Sequence, residues 1–189
     1  MVRGIVNMIY FIKQFLVTAA IAIPIYLIIR RPWRFKDKRE WVLGVFIIYL
    51  ICLLSLTLKG TYDVPSVMIQ RGIEKIQTPN GIHLKPFEMI IGFTRWNNPE
   101  VFFINVTCNI IIFIPWGFGL PLLWKKAQKI TLLLPLCLAL TVFIEFFQIF
   151  IGRSTDIDDV ILNFTGGCIG AVIYFITAKI IPKIKKLSK

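Results

Sequence analysis

Five long apolar runs decide what this chain can fold into. They lie at about Asn7 to Ile29, Trp41 to Leu58, Glu100 to Trp124, Ile130 to Ile151 and Ile157 to Ile181. A helix crossing the hydrocarbon core of a bilayer needs about 20 apolar residues, with every backbone N–H and C=O satisfied inside the segment. The second run is somewhat short of that, and the others meet it. With 57% hydrophobic residues among 189 and a mean hydropathy of +0.75, the chain is no ordinary soluble domain. The expected fold is all-α: a polytopic membrane bundle of about five transmembrane helices, with an interfacial segment between the second and third. Residues 1–189 read as one integral membrane domain.

Charge sets the expected orientation. The net charge is +12, but no nucleic-acid recognition module accompanies it, so nucleic acid is not an expected partner. The cations instead punctuate the apolar runs. Arg30, Arg31, Arg34, Lys36, Lys38 and Arg39 follow the first run, Lys125, Lys126 and Lys129 the third, and PKIKKLSK closes the chain. Such clusters stay cytoplasmic and meet anionic headgroups, which makes membrane lipids the expected partners. The expectation is a multi-pass cell-membrane protein with its N-terminus outside and its C-terminus cytoplasmic. The 59–99 interval and the 152–159 turn then lie outside. A cleavable signal peptide is the rival for the first run, where Ala20-Ile21-Ala22 resembles a cleavage site. The apolar run continues past it to a basic cluster, which favours a retained helix.

Several local features add to this frame. The long interval predicts a short helix over Val67 to Ile76, a turn at Thr78-Pro79-Asn80-Gly81, and a segment over 82–98 lying on the outer mouth. Pro115 predicts a break in the third helix. Cys52, Cys108, Cys137 and Cys168 lie in separate apolar runs without metal-site spacing and read as buried free thiols. There is no Ser–His–Asp set, P-loop or HExxH; no metal and no cofactor is expected.

The unusual chemistry is concentrated in Glu145 to Gly170. On a helix, Asp156, Asp159, Asn163, Gly166 and Gly170 fall within an arc of roughly 80°. Such a stripe on an otherwise apolar helix should face protein, water or a ligand. Thr141, Glu145 and Gln148 share a face of the fourth helix, and Asn105 with Asn109 share one on the third. Counting from the outer face puts Asn109 roughly 13 Å deep, and Glu145 and Asn163 about 9 Å deep. These positions predict a polar pocket among three helices. Asn105 and Gln148 serve equally well as interhelical glue, and the glycines as packing surfaces. A carboxyl such as Glu145 within a span usually marks a functional site. Asp156 suits a helix N-cap, while Asp158, off the stripe, reads as a solvated turn residue. His83, beside a turn, reads as exposed rather than catalytic.

NVTCNIIIFIPWGFGLPLL, IEFFQ and GRSTDIDDVILNFTGGCIG, preceded by IHLKPFEMI, resemble the core of the VanZ-like membrane family over roughly residues 43–178. Asn109, Phe113, Pro115, Gly117, Glu145, Gln148, Arg153, Asp156, Asp159, Asn163 and Gly167 match its pattern positions. The resemblance implies reduced susceptibility to teicoplanin without a replaced peptidoglycan terminus, and the cell membrane of a Gram-positive bacterium. It implies no settled reaction, cofactor or catalytic residue. Two classes of function follow. As an enzyme on a lipid-linked envelope precursor, the chain would use Glu145 or Asp159 as the catalytic acid or base. Asp156 and Asp159 would hold a cation or orient the substrate, with Arg153 at a phosphate. As a binding or interaction protein, it would hold an outer-leaflet component or a lipoglycopeptide through Asn109, Gln148, Arg153, Asp156 and Asn163, without chemistry. A small-solute channel is weaker, because no polar path continues through Pro115 to Trp124.

Overall fold

The computed structural model describes residues 2–32, 37–58, 65–77, 82–88, 91–92, 99–151 and 155–189. Its helices are α1 (Val2–Arg30), α2 (Lys38–Thr57), α3 (Pro65–Gln77), α4 (Pro99–Leu123), α5 (Ile130–Phe150) and α6 (Ile157–Ile180). All but α3 are long and apolar enough to cross a membrane, so the expected all-α bundle is what forms. Two-residue strands, β1 (Ile82–His83) and β2 (Thr155–Asp156), pair in parallel at one end.

The centre of the bundle is the α4–α6 seam. Both helices run in the same direction: Gly166 lies against Ile110 and Gly170 against Ile114, four residues further along each chain. A Cβ on Gly117 would sit 1.8 Å from the Gly167 carbonyl oxygen, and one on Gly170 2.0 Å from that of Ile114. Lipid tails are as apolar as leucine, so close packing, rather than exclusion of water, holds such helices together. The glycine stripe therefore faces protein, in its packing sense. Phe113, Leu133 and Ile144 are fully buried around this seam, while Val142, Phe143, Phe146 and Phe147 of α5 point outward.

Pro115 does not break α4, which runs continuously through both Pro115 and Pro121. Proline at 115 withdraws the N–H that would serve the Ile111 carbonyl. The Tyr49 hydroxyl of α2 donates to the adjacent Ile112 carbonyl at 2.7 Å, so a neighbouring helix supports the turn that the proline weakens. α2 also holds α1. Tyr26 donates its hydroxyl to the Glu40 carbonyl at 2.9 Å, Arg30 pairs with the Glu40 carboxylate at 2.7 Å, and Thr18 bonds Ser55 at 2.8 Å.

The two ends of the bundle differ in charge. At one, Asp37 caps α2 by accepting the Arg39 N–H at 3.0 Å and pairs with Lys189 at 2.9 Å. These contacts, the backbone one first, hold its carboxyl below the usual range. Lys189 also donates its backbone N–H to the Leu123 carbonyl and accepts that of Lys125. The basic stretches after α1 and α4 and the C-terminal tail thus meet, as helix alternation requires. At the other end lie α3, β1, β2 and the start of α6. α3 is one turn longer than the sequence suggests and amphipathic: Ile69, Ile73 and Ile76 form an exposed apolar stripe, while Gly72 packs on Phe150. All four cysteines are free; Cys52 and Cys137 are buried, but Cys108 is exposed rather than buried as expected.

Candidate functional site

The acidic end is built around the first turn of α6. Asp156 has extended backbone, and its side chain accepts the Asp158 N–H at 3.0 Å, which makes it the helix N-cap expected of an aspartate before an apolar run. Its own N–H donates to Glu145 Oε2 of α5 at 3.4 Å. Asn109 Nδ2 of α4 donates to Asp159 Oδ1 at 2.7 Å, a charge-assisted bond that ties α4 to α6. Thr141 of α5 donates its hydroxyl to the Val160 carbonyl at 3.4 Å. Three helices therefore converge on residues 156–160.

β1 covers this turn. Ile82 pairs with Thr155 and His83 with Asp156. Four residues further on, the Phe87 N–H donates to Asp158 Oδ1. Asp158 is fully buried, at 0% exposure, so its expected place in a solvated turn is wrong. Helix periodicity put it off the stripe, but at the first residues of a helix the covering segment, not the helix face, decides burial. His83 is exposed, as expected. Of the 82–98 stretch expected as a lid, residues 82–88 lie beside this turn, and 89–90 and 93–98 lie outside the described residues.

Burial follows the predicted stripes. Thr141, Glu145 and Gln148 are all buried on one face of α5, and Asp156 and Asn163 are buried as well. Glu145, at 4% exposure, does not face lipid. Asn163 is equally buried, one turn below Asp159, and its Oδ1 has no hydrogen-bond partner among the described residues; nor has the buried Thr155 hydroxyl. A buried acceptor left unsatisfied costs about 1–3 kcal/mol, which gives Asn163 a strong demand for a donor. Gln148 goes elsewhere: its amide donates to the Thr57 carbonyl at 3.1 Å and clamps α5 to the end of α2. Arg153 lies outside the described residues.

Asn109 and Glu145 bond to Asp159 and to the Asp156 backbone, at the start of α6, one turn from Asn163.

Burial pushes the Asp156 carboxyl above the usual carboxylate range. Asp158 and Glu88 act in the same direction, against the Asp158 backbone N–H and His83. A folded-state value above the unfolded one means that protonation of Asp156 favours the folded state. That contribution is complete in acid and is lost as pH rises through the raised value. No group of three or more His, Cys, Asp or Glu among the described residues has a geometry that would hold a metal ion. The arrangement suits a neutral or cationic polar group, or proton exchange at a buried carboxyl, more than it suits an unescorted anion.

The family model described as VanZ/LLP1 matches residues 46–178. No curated protein and no solved structure matches the chain.

Proposed function

The chain belongs to the VanZ/LLP1 family, and on that premise we propose that it binds or acts on a lipid-linked component of the cell envelope at the acidic end of the bundle. Its motive is the acid layer: buried Glu145, Asp156 and Asp158 and half-buried Asp159 from two helices, with Asp159 bonded to Asn109 of a third, beneath a segment that carries apolar side chains. Leu84 and Phe87 on that segment are 71% and 53% exposed, and the α3 stripe adds Ile69, Ile73 and Ile76 at the same end. In this reading those side chains rest in the membrane surface and admit a headgroup to the polar turn while its chain stays in lipid. Asn109, Asn163 and the carboxyls take hydroxyls and N–H groups, and Arg153 is assigned to a phosphate. If there is chemistry, Glu145 and Asp159 are the acid–base candidates. The carboxyls already accept backbone N–H groups and the Asn109 amide, which supports binding first.

Orientation in the cell is part of the proposal. Cytoplasmic loops gather lysine and arginine, so the Lys125–Lys189 end belongs inside and the acidic end outside. In a background without the four native cysteines, an impermeant thiol reagent on intact cells is expected to label a Leu84→Cys variant and not a Lys126→Cys variant. Labelling of the second alone would invert the bundle.

The cellular readout follows from family and location together. Teicoplanin carries an acyl chain that vancomycin lacks, so a change at the outer membrane surface should affect teicoplanin more. Expressed in a sensitive Gram-positive host, the chain is expected to lower susceptibility to teicoplanin but not to vancomycin. Asp159→Ala, matched for abundance, should lose the shift. Equal shifts for wild type and variant would remove this site from the function. A Glu145→Gln variant separates the two modes: loss of the shift with ligand retention supports acid–base chemistry, and an unchanged shift supports binding.

A further inference from the structure

At the basic end, away from the acid layer, an apolar groove of about 400 Å³ runs between α2, α4 and α5. Phe46 stacks on Trp116, with ring centroids 5.7 Å apart, and Trp124 meets Phe46 edge-on at 5.6 Å. Leu120 and Leu136 complete the wall, and Lys126 stands at the mouth. Three facts bear on what fills it. The walls are purely hydrocarbon and aromatic, so the occupant is apolar along its length. Trp124 is partly exposed beside the lysines, the position of a residue at the membrane–water boundary. Lys125, Lys126 and Lys129 are exposed, and none has an acidic partner among the described residues. The neighbouring carboxylates are already taken: Asp37 by Lys189 and Glu40 by Arg30. The groove therefore ends on uncompensated positive charge.

The geometry points to a binding site for one anionic glycerophospholipid of the adjacent leaflet, with an acyl chain in the groove and its phosphate on Lys126. A second groove, between α1 and α2, ends on Arg30, whose charge Glu40 already neutralises, and lacks this selectivity. The site fills a gap in the core next to the α4–α5 turn, so the lipid acts as a packing element for the basic end. It is independent of any substrate at the acidic end.

The test uses the purified full chain in vesicles of phosphatidylcholine carrying increasing fractions of phosphatidylglycerol. In one series the phosphatidylglycerol has brominated chains, and in the other the phosphatidylcholine has. Bromine quenches tryptophan on contact, and with Trp33, Trp41 and Trp96 replaced by phenylalanine the remaining reporters are Trp116 and Trp124, which line the groove. Half-maximal quenching is expected at about a fivefold lower mole fraction for the anionic lipid, the preference one lysine confers near a membrane surface. Lys126→Glu should abolish that preference, and Lys126→Gln reduce it. Lys126 is exposed, so both variants are expected to elute as the same single species as wild type. Equal quenching by both lipids would reduce the groove to bulk lipid contact and overturn the site. A preference that survives Lys126→Glu would overturn the assigned headgroup contact. Protection from both lipids, together with a dimeric mass, would assign the groove to a second copy instead.

Discussion

Alanine at Gly117, Gly166 or Gly170 is expected to destabilise the protein far more than alanine at any other described glycine. The new Cβ atoms would lie 1.8 Å, 2.2 Å and 2.0 Å from carbonyl oxygens of Gly167, Ile110 and Ile114. Those are backbone atoms of a facing helix and cannot rotate aside, so relief requires the helices to part. Overpacking of this kind costs about 1–3 kcal/mol, occasionally more. Against it stands only the gain of about 0.5–1 kcal/mol that alanine brings to a helix in place of glycine. The same substitution at Gly119 meets the Phe46 ring, and at Gly44 the Tyr26 ring; flexible side chains can give way, so the loss is smaller. Gly92 has open space and is the control. Thermal melting in detergent, with the fraction eluting as a single species, should rank the seam positions lowest, then Gly44 and Gly119, then Gly92. Gly117→Ala and Gly170→Ala as stable as Gly92→Ala would mean that the seam does not hold the bundle.

The seam matters beyond stability. It fixes the parallel register of α4 and α6, and Asn109, which bonds Asp159, directly precedes Ile110, the residue that Gly166 meets. A helix pushed outward at Gly166 carries Asn109 with it. Seam variants that do fold should therefore disturb the acid layer as well.

Much of this was legible in the sequence because the membrane imposes so few solutions. Apolar runs of the right length gave five helices, and basic clusters gave their alternation, which in turn makes α4 and α6 run the same way. The helical period of Asp159, Asn163, Gly166 and Gly170 gave a stripe that faces protein. What the sequence hid were features that depend on offsets between elements. Pro115 looked like a break because its rescue comes from Tyr49 on another helix. Asp158 looked solvated because nothing in its neighbourhood announces that Ile82 and His83 will pair beside it. The one available signal was the IHLKPFEM stretch itself, too apolar for a loop and therefore in need of a surface to cover.

Replacing Asp158 should uncouple that covering segment. The carboxylate is fully buried and accepts the Phe87 N–H across the mouth. It also lies in the first turn of α6, where negative charge meets the positive end of the helix dipole. Phe87 has a positive φ of 66°, a conformation that costs a bulky residue about 1–3 kcal/mol unless its surroundings hold it. Asp158→Ala removes both the acceptor and the restraint. A hydrogen bond to a charged group contributes about 1.5–3 kcal/mol, so local opening of 82–88 should become roughly 30-fold more frequent for a loss of about 2 kcal/mol. Hydrogen exchange at His83 to Glu88 reports it directly. Asp158→Asn keeps an oxygen that can accept from Phe87 and should open less. Phe87→Gly relieves the backbone conformation and should slow exchange in the Asp158→Ala background. If exchange in 82–88 stayed at the wild-type rate while the melting temperature fell, Asp158 would serve only the start of α6, and the segment would be held by its pairing with Thr155 and Asp156 alone.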